Sequence, residues 1–510
     1  MRKAVKRKIL DLFTTLREAH NEIRLLLQKE EYVKVNNILA DCQECALLAG
    51  NTIEQFEKNQ KDIVRELEEY CEQVFEISSC LENKARLNAN EIQKKLNLYI
   101  QRAHEKVESN ITAALKVVFM PYKASMWTSL ESVWEAAAAD EACEVKVVVI
   151  PYYTLDFEGN KKELHYEGEL FPKNVPVVHF DEYILEHEHP DIIFIHNPYD
   201  GTNNVTRVPE KYYSYNLKRY TDHLVYSPYG MMGYYSPKQG AFMCYMSAIH
   251  IADKVLVQSE KVKQIYIDHG VEREKLLAIG SPKVDAIIRG MKESKIYPNE
   301  WREKLEGRKV FLLNTHLSYF INGYNYQQKY GKEKSYAEWY HENIFENILD
   351  KPGCALIWRP HPLLKDTLKS RELYSTLEFI EALERQLKES ENGVLDINGD
   401  YNISFRLSDA LITTYSSMIP EYMISGKPVY IYEGRLNEGN CRKSPMSYIN
   451  NYYRARRGEG RMLPKFIEMV LNGDDPLYNK RMDDVHRAFT NLDGTIGKRI
   501  YEKLKKEFDV

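Results

Sequence analysis

The sequence predicts an all-α N-terminal region followed by two doubly wound α/β halves, each with a parallel sheet, that face each other across a cleft. Residues 1–112 carry apolar side chains at helical spacing and almost no Gly or Pro. From Leu115 onward, short β-branched runs alternate with helical stretches in two successive sets, which is the pattern of a parallel sheet. A chain of 510 residues has room for about three ordinary domains.

Residues 1–112 are predicted to form a helical bundle or arm. One helix is expected to end at Gly50 and the next to be capped by Asn51 or Thr52. No catalytic pattern occurs there, so the region is interpreted as a means of association with a partner, a membrane or another copy of the chain as a homo-oligomer. The first stretch, "MRKAVKRKILDLFTTL", is basic and amphipathic, which suits either an anionic membrane surface or a packed helix.

The first α/β half is predicted over residues 113–290 and the second over residues 291–465. Strands of the first half are expected in "LKVVFM", "CEVKVVVIPYY", "PDIIFIHNPYDG", "HLVYSPYG" and "ADKVLVQ", and strands of the second in "KVFLLNTH", "CALIWRPHP", "DALITT" and "PVYIYE". Residues 466–510 are predicted to be a helical tail that returns to the first half. Ligands of such sheets bind beyond the carboxyl ends of the strands, so the site is expected in the cleft.

The composition excludes several classes of protein. A net charge of -5 argues against a general nucleic-acid binder, and no apolar run approaches the length that crosses a bilayer. Eight irregularly placed cysteines without a secretory signal indicate reduced thiols and a cytoplasmic protein. Neither GxGxxG nor a P-loop is present, which argues against NAD enzymes and P-loop NTPases.

The strand ends of the second half carry side chains that suit a pyrophosphate. Arg359 could hold a phosphate oxygen in bidentate fashion, and a protonated His361 could add charge to a leaving group. Hydroxyls and backbone N–H groups at a helix N-terminus also form an anion site. The residues expected to bind the pyrophosphate in this way are Thr413, Thr414, Tyr415, Ser416 and Ser417.

Further candidates follow other strands. In the second half, Asn314 and His316 are expected to contact the nucleotide, and Glu421 the ribose hydroxyls. After the first strand of the first half, the candidate residues are Lys123, Ser125 and Trp127. The sequence therefore predicts a pyrophosphate site in the second half, facing these residues of the first.

The stretches "IWRPHP" and "RLSDALITTYSSMIPEYMISGKPVYIY" resemble the CDP-glycerol glycerophosphotransferase family, whose members prime and polymerise the glycerol-phosphate or ribitol-phosphate chains of teichoic acids. The matching positions are Arg359, His361, Pro362, Ser408, Asp409, Leu411, Ile412, Thr413, Tyr415, Ser416, Ser417, Lys427 and Pro428. Thr414 stands where the family usually has an aspartate, and the acidic Glu421 stands near the usual Asp-Tyr. The resemblance implies a GT-B type fold of two Rossmann-like halves.

The resemblance also implies a mechanism. His196, in "FIHNPYDG", corresponds to the family's catalytic base, although the surrounding Trp and Gly of that motif are missing. It would deprotonate the hydroxyl of an acceptor bound at Lys123, Ser125 and Trp127, and this hydroxyl would attack the phosphorus next to the glycerol. CMP would then leave with its charge held by Arg359, His361 and the Ser416/Ser417 helix start, with no metal or other cofactor.

On this basis we expect a cytoplasmic enzyme, peripheral at the inner face of the membrane, that uses a CDP-activated polyol donor and a polymer or lipid-linked acceptor in envelope or capsule synthesis. A glycosyltransferase that uses a nucleotide sugar would share the fold and the pyrophosphate cradle. A non-catalytic scaffold of envelope assembly that only binds the nucleotide is the third alternative. Competition by CMP or UMP, and turnover itself, would distinguish the three.

Overall fold

The computed structural model describes residues 1–57, 59–82, 88–156, 158–232, 242–293, 295–322, 335–398, 401–414, 416–432, 453–454 and 462–508. The predicted donor contact Tyr415 lies outside the described residues.

The N-terminal region is a four-helix bundle of α1 (Lys3–Gln28), α2 (Tyr32–Phe56), α3 (Lys61–Glu82) and α4 (Ala89–Asn110). The prediction of a break at Gly50 is wrong, because α2 runs through this residue. Gly50 is buried against α3, where an added Cβ would lie 3.8 Å from Leu67 Cδ1. Tertiary packing therefore overrides the local preference of glycine for helix ends.

The amphipathic first helix uses its apolar face inside the protein. Four apolar side chains of this face are buried in the bundle core: Val5, Ile9, Phe13 and Leu16. Three basic side chains bind neighbouring parts of the fold: Arg2 to Asp222, Lys6 to the Ile111 carbonyl and Arg7 to the Glu507 carbonyl. The apolar face of this helix therefore packs inside the bundle, which is one of the two alternatives that the sequence left open, and the membrane contact stays a prediction. Across the described ranges, no helix has the length and hydropathy of a membrane span.

The first α/β half contains a parallel sheet in the order β10-β9-β8-β6-β1-β2-β5, counted over the described residues. Its strands are β1 (Leu115–Met120), β2 (Cys143–Val149), β5 (Val177–His179), β6 (Ile192–Ile195), β8 (His223–Tyr226), β9 (Lys254–Leu256) and β10 (Leu276–Leu277). A small antiparallel sheet adds β3 (Tyr152–Leu155), β4 (Lys161–His165) and β7 (Thr206–Arg207). Almost every side chain of β1 and β6 is buried, as expected for strands covered on both faces.

The second half contains a parallel sheet in the order β13-β12-β11-β14-β15-β16, again over the described residues. Its strands are β11 (Lys309–Asn314), β12 (Cys354–Trp358), β13 (Gly393–Leu395), β14 (Ala410–Thr413), β15 (Val429–Ile431) and β16 (Tyr453–Arg454). The neighbours of β11 end at the same level, because Leu313 pairs with Trp358 and Asn314 pairs with Thr413. This register brings the carboxyl ends of β11, β12 and β14 together on one side of the sheet.

The helices outside the bundle connect and cover these sheets. They are α5 (Glu131–Ala138), α6 (Leu185–Glu188), α7 (Ser214–Leu217), α8 (Ser247–Ile251), α9 (Glu260–Asp268), α10 (Pro282–Lys292), α11 (Asn299–Leu305), α12 (Tyr336–Leu349), α13 (Leu364–Ser370), α14 (Tyr374–Glu389), α15 (Asn402–Leu407), α16 (Met418–Met423), α17 (Met462–Asn472), α18 (Tyr478–Ala488) and α19 (Ile496–Lys505). The predicted class of two α/β halves preceded by an all-α region is confirmed.

The last helix, α19, packs on the first half. The backbone N–H groups of Ile496 and Gly497 donate to the Asp285 carboxylate at 3.1 and 2.8 Å, and the Tyr501 hydroxyl donates to Asp140 at 2.6 Å. In contrast, α17 packs in the core of the second sheet, so the predicted boundary at residue 465 falls inside a helix that belongs to the second half. The chain returns to the first half after this helix.

Replacing Gly497 with Ala is expected to destabilise the docked tail. An added Cβ would overlap the backbone carbonyl group of Ser132 on α5, and overpacking of this kind costs roughly 1–3 kcal/mol. Gly50→Ala is the matched control, because its new methyl meets Leu67 at an ordinary contact distance and removes a helix-interior glycine, a gain of about 0.5–1 kcal/mol. Thermal unfolding should show a lower Tm for the first variant and an unchanged or higher Tm for the second.

Candidate active site

The strand ends of the second half bring two imidazoles together. The rings of His316, after β11, and His361, after β12, have centroids 5.8 Å apart. Each Nδ1 accepts a backbone hydrogen bond, from Ser318 in the first case and Leu363 in the second. In the neutral ring the hydrogen then resides on Nε2, which makes each Nε2–H a donor for a phosphate oxygen.

The surroundings of His361 favour its neutral form. Its partial burial and the neighbouring charge of His316 lower its pKa to about 4. At neutral pH the pair therefore offers hydrogen bonds rather than two positive charges. An anion held between the rings would favour the protonated form and raise this pKa.

The hydroxyl groups predicted for the donor site gather after β14. Thr414 Oγ1 accepts the backbone N–H of His316 at 3.0 Å, which fixes the His316 loop beside this strand. The oxygens of Thr413 and Ser416 lie 3.3 Å apart, with Thr413 buried and Ser416 half-buried. Ser417 is exposed at the start of α16, and its side chain makes no capping bond to that helix. The serine hydroxyls are thus the members of this group that are accessible to solvent.

Arg359 stabilises the loops at the strand ends of the site. It is only 8% exposed, and its Nη1 and Nη2 atoms donate to Asp396 Oδ2 and the Asn398 carbonyl, both at 2.7 Å. Arg359 therefore forms a buried ion pair between the ends of β12 and β13, and its bidentate phosphate contact stays a prediction. Asn314, also predicted as a ligand, is buried and donates to the Arg359 carbonyl at 2.9 Å.

Behind the two imidazoles lies a buried polar cluster that the sequence did not indicate. Thr315 Oγ1 is 2.8 Å from His341 Nε2 and 2.5 Å from the Tyr432 hydroxyl. His341 is fully buried, its pKa is lowered to about 4 by burial, and its Nδ1 is bonded to the Ala337 carbonyl. The cluster joins α12 to the ends of β11 and β15 and positions the residue before His316. This role of His341 could not be predicted from the sequence, because it is a single histidine within a helix.

Glu421 connects the two halves. Its Oε1 accepts from Lys283 Nζ at 2.6 Å, with both residues buried. The same ammonium group donates to the Tyr229 carbonyl at 3.2 Å and lies 5.1 Å from the centre of the Tyr401 ring. In this structure the carboxylate predicted for the ribose is therefore engaged in an interdomain ion pair.

The structure encloses His196 in the first half. The side chain is 0% exposed, and the Tyr122 ring packs against it at 5.2 Å. Nε2 accepts the backbone N–H of Tyr122 at 3.1 Å, while Nδ1 is 3.2 Å from Ser129 Oγ. Burial lowers its pKa to about 3. In this arrangement both nitrogens of His196 have protein partners, and its role as a base stays a prediction.

The three predicted acceptor residues lie near an interdomain cavity of about 750 Å³. Ser125 and Trp127 line it, whereas the Lys123 ammonium lies 4.6 Å from the centre of the Tyr152 ring. The lining comes from both halves. It includes residues from 124–131 and 167–172 of the first half, from 286–293 at α10 and its C-terminal end, and from 401–406 at the start of α15. Within the described ranges, no three His, Cys, Asp or Glu side chains form a cluster suited to a metal ion.

Two facing parallel α/β halves, with imidazole and hydroxyl donors at the strand ends of one, define a GT-B type transferase that uses a nucleotide-diphosphate donor. Residues 245–504 match the family of CDP-glycerol:poly(glycerophosphate) glycerophosphotransferases over half of the chain. The chain belongs to this family, and it transfers glycerol phosphate from a CDP-activated donor.

Solved structures share the architecture. The wall teichoic acid polymerase TagF is similar with a TM-score of 0.51 and 15% identity, over 83% of this chain and 98% of that one. The UDP-GlcNAc 2-epimerase of Methanocaldococcus jannaschii has a TM-score of 0.47 and 14% identity, over 77% of this chain and 99% of that one. No curated protein sequence matches the chain. The first of these likenesses supports the fold assignment.

Proposed function

We propose that the enzyme adds glycerol phosphate to the terminal hydroxyl of a teichoic-acid type poly(glycerol phosphate) chain or its lipid-linked primer, at the inner face of the membrane, with release of CMP. The observation that carries this proposal is the His316–His361 pair beside the Ser416 and Ser417 hydroxyls, within the segment that matches the family. These imidazole and hydroxyl groups can donate hydrogen bonds to both phosphates of a CDP-linked donor, and no existing ion pair has to break for them to do so.

The donor is bound and activated by the second half. The Nε2–H groups of His316 and His361 hold the phosphate oxygens, and the Ser416 and Ser417 hydroxyls complete the cradle. Charge builds on the bridging oxygen as CMP departs, so these donors bind the transition state more tightly than the ground state. The Thr315–His341–Tyr432 cluster keeps the His316 loop in place during this change.

The binding of CMP is expected to be coupled to proton uptake by His361. The pKa of the His361 imidazole is about 4, and a bound phosphate raises it. The affinity for CMP should therefore increase as the pH falls through the raised pKa of the complex, and it should level off below about pH 4. Calorimetry in two buffers with different ionisation enthalpies measures the protons taken up. His361→Gln serves as the control for the titration of CMP itself, and equal uptake in this variant would refute the coupling.

The acceptor is proposed to enter the interdomain cavity. Its lining combines the exposed Ser125 hydroxyl with the Arg289 and Arg406 guanidinium groups, which suits a hydroxyl next to an anionic polyol phosphate. Arg289 is paired with Glu135 and Arg406 with Glu293 at the rim, so these charges are held without being deeply buried. Lys123 adds a positive charge near the Tyr152 ring on the same side.

CMP release in the presence of defined acceptors tests the proposal. We expect turnover of CDP-glycerol with a short glycerol-phosphate primer, and mass spectrometry of the product should show added glycerol-phosphate units. Addition of EDTA is expected to leave the rate unchanged, since fixed hydrogen-bond donors stabilise the leaving group in this scheme. Turnover of a UDP-sugar with no CMP release from CDP-glycerol would support a glycosyltransferase instead.

A further inference from the structure

We propose that Lys283 is a positioning residue that aligns the acceptor side of the first half with the donor site of the second. This inference rests on the proposed function, because the alignment of two substrates matters only for a transfer between them. Lys283 is the second residue of α10, and it is 8% exposed. Its contacts reach the functional groups of both halves.

The ammonium group of Lys283 has partners in each half. In the first half, Nζ donates to the Tyr229 carbonyl at 3.2 Å. In the second half, Nζ donates to Glu421 Oε1 at 2.6 Å and lies 5.1 Å from the centre of the Tyr401 ring. Lys283 and Glu421 are both buried, so solvent screens their attraction only weakly. The position of this one ammonium group therefore sets how the two halves meet.

On the first-half side, Tyr229 connects Lys283 to the histidine that corresponds to the family's base. Tyr229 follows β8, and its ring packs edge-on against the His196 ring, with the ring centroids 6.4 Å apart. The Tyr229 hydroxyl lies 3.1 Å from the hydroxyl of Tyr199, which belongs to the loop directly after His196. A shift of the Tyr229 backbone would therefore move two of the aromatic groups beside His196.

On the second-half side, Glu421 connects Lys283 to the donor cradle. Glu421 lies on α16, which begins directly after Ser417. The Ser416 carbonyl accepts a backbone hydrogen bond of 3.3 Å from the first turn of this helix. The Ser416 hydroxyl lies 3.3 Å from that of Thr413 at the end of β14. The ion pair therefore holds the helix that presents both serine hydroxyls.

The end of β14 extends this connection to the two imidazoles. Thr414, the residue after Thr413, accepts the His316 N–H at 3.0 Å through its Oγ1. The His316 ring lies 5.8 Å from that of His361. A continuous series of contacts therefore joins the Lys283 ammonium group to the hydroxyl and imidazole donors of the cradle.

The helix that carries Lys283 is itself fixed in the first half. Two residues after Lys283, the Asp285 carboxylate accepts the backbone N–H groups of Ile496 and Gly497 at 3.1 and 2.8 Å. These bonds anchor the start of α10 to the start of α19. The first half therefore sets the position of the ammonium group, and the Glu421 helix of the second half docks against it.

Alignment accounts for the buried charge better than stability does. A buried ion pair is often no more stabilising than apolar side chains of similar volume, whereas its bonds are directional. Transfer requires the acceptor oxygen to lie about 3–3.5 Å from the phosphorus, and a misplacement of about 1 Å can cost roughly 10²-fold in rate. Loss of the Lys283 bonds should therefore affect the rate of transfer more than the binding of the nucleotide.

The test compares a double variant, Lys283→Met with Glu421→Leu, with the control Lys351→Met. The control breaks an ion pair with Glu468 on the surface. The double variant leaves no unpaired buried charge, so its Tm should stay near that of wild type. We expect its kcat for transfer to fall roughly 10²-fold, with an unchanged calorimetric affinity for CMP. The control should keep the wild-type kcat and Tm.

The partition between transfer and hydrolysis is a readout that a purely structural role would not move. A water molecule needs no alignment with a bound acceptor, so the share of CMP released without extension of the glycerol-phosphate primer should rise in the double variant. Lys283→Arg keeps a cation that can bond on both sides, and it should retain kcat within about tenfold of wild type together with the wild-type partition. A folded Lys283→Arg variant as slow as the double variant would contradict the proposal.

Two further outcomes would also overturn the role of Lys283. If the double variant regains kcat as well as Tm, the ion pair only stabilises the interface. If the double variant loses affinity for CMP in proportion to kcat, the effect lies in nucleotide binding. Wild-type protein that releases no CMP from CDP-glycerol in the presence of the primer would instead refute the proposed function, and the role of Lys283 with it. The failures are distinguishable, because the first two require an active wild-type enzyme.

Discussion

His361→Ala is expected to lower kcat for CDP-glycerol by roughly 10²–10³-fold, the usual loss for one donor that stabilises a developing charge. The imidazole lies 5.8 Å from that of His316, and the Leu363 N–H donates to its Nδ1, so Nε2–H is the group that can donate to a leaving phosphate. The ring is half-buried rather than part of the core, so folding should be preserved. Steady-state CMP release and a thermal melt measure the two effects separately.

His486→Ala is the matched control for this variant. His486 is exposed on α18, and its Nδ1 bonds to the Met482 carbonyl within the same helix. Its removal should leave both turnover and Tm at the wild-type level. If His361→Ala retains kcat within a few-fold while melting normally, the imidazole pair does not stabilise the leaving group.

Glu421→Ala is expected to destabilise the protein by about 3–5 kcal/mol, because it leaves the Lys283 ammonium buried between the two halves without its partner. Replacing both residues, as in Lys283→Met with Glu421→Leu, should recover most of this loss, since the cost lies in the unpaired charge. Urea denaturation of the two single variants and the double variant gives the coupling energy.

The exposed pair Lys351–Glu468 provides the comparison, and Lys351→Ala should cost less than about 1 kcal/mol. If Glu421→Ala is as stable as wild type but loses affinity for CMP, the carboxylate contacts the ribose, as the sequence predicted. The two outcomes therefore separate an interdomain ion pair from a nucleotide ligand.

The fold could be predicted because its signals are local. The change from helical spacing to short β-branched runs near Leu115 marks the end of the bundle, and the strand runs recur as β1, β6, β11 and β14. The error at Gly50 has a tertiary cause, since the glycine permits close packing of α2 on α3 rather than ending a helix.

The strand ends that form the site could be predicted from the sequence, whereas the hydrogen-bond partners of their side chains could not. Arg359 and Lys427 both match the family motif, yet Arg359 is bound by Asp396, and Lys427 donates to the backbone carbonyls of Phe405 and Ser408. The sequence cannot show such pairings, because the partners lie far apart along the chain. His196 illustrates the same limit, since only the packing of Tyr122 over its ring reveals its burial.

Calorimetric titration with CDP-glycerol, CMP, CDP-ribitol and UDP-GlcNAc, on wild type, His361→Ala and His486→Ala, tests the central claim most directly. The account predicts that the cytidine compounds bind wild type and His486→Ala, and that His361→Ala binds them roughly tenfold or more weakly, as expected for loss of one hydrogen bond to a charged group. Equal affinity in His361→Ala, or binding of the uridine sugar alone, would contradict a cytidine-diphosphate cradle at these strand ends.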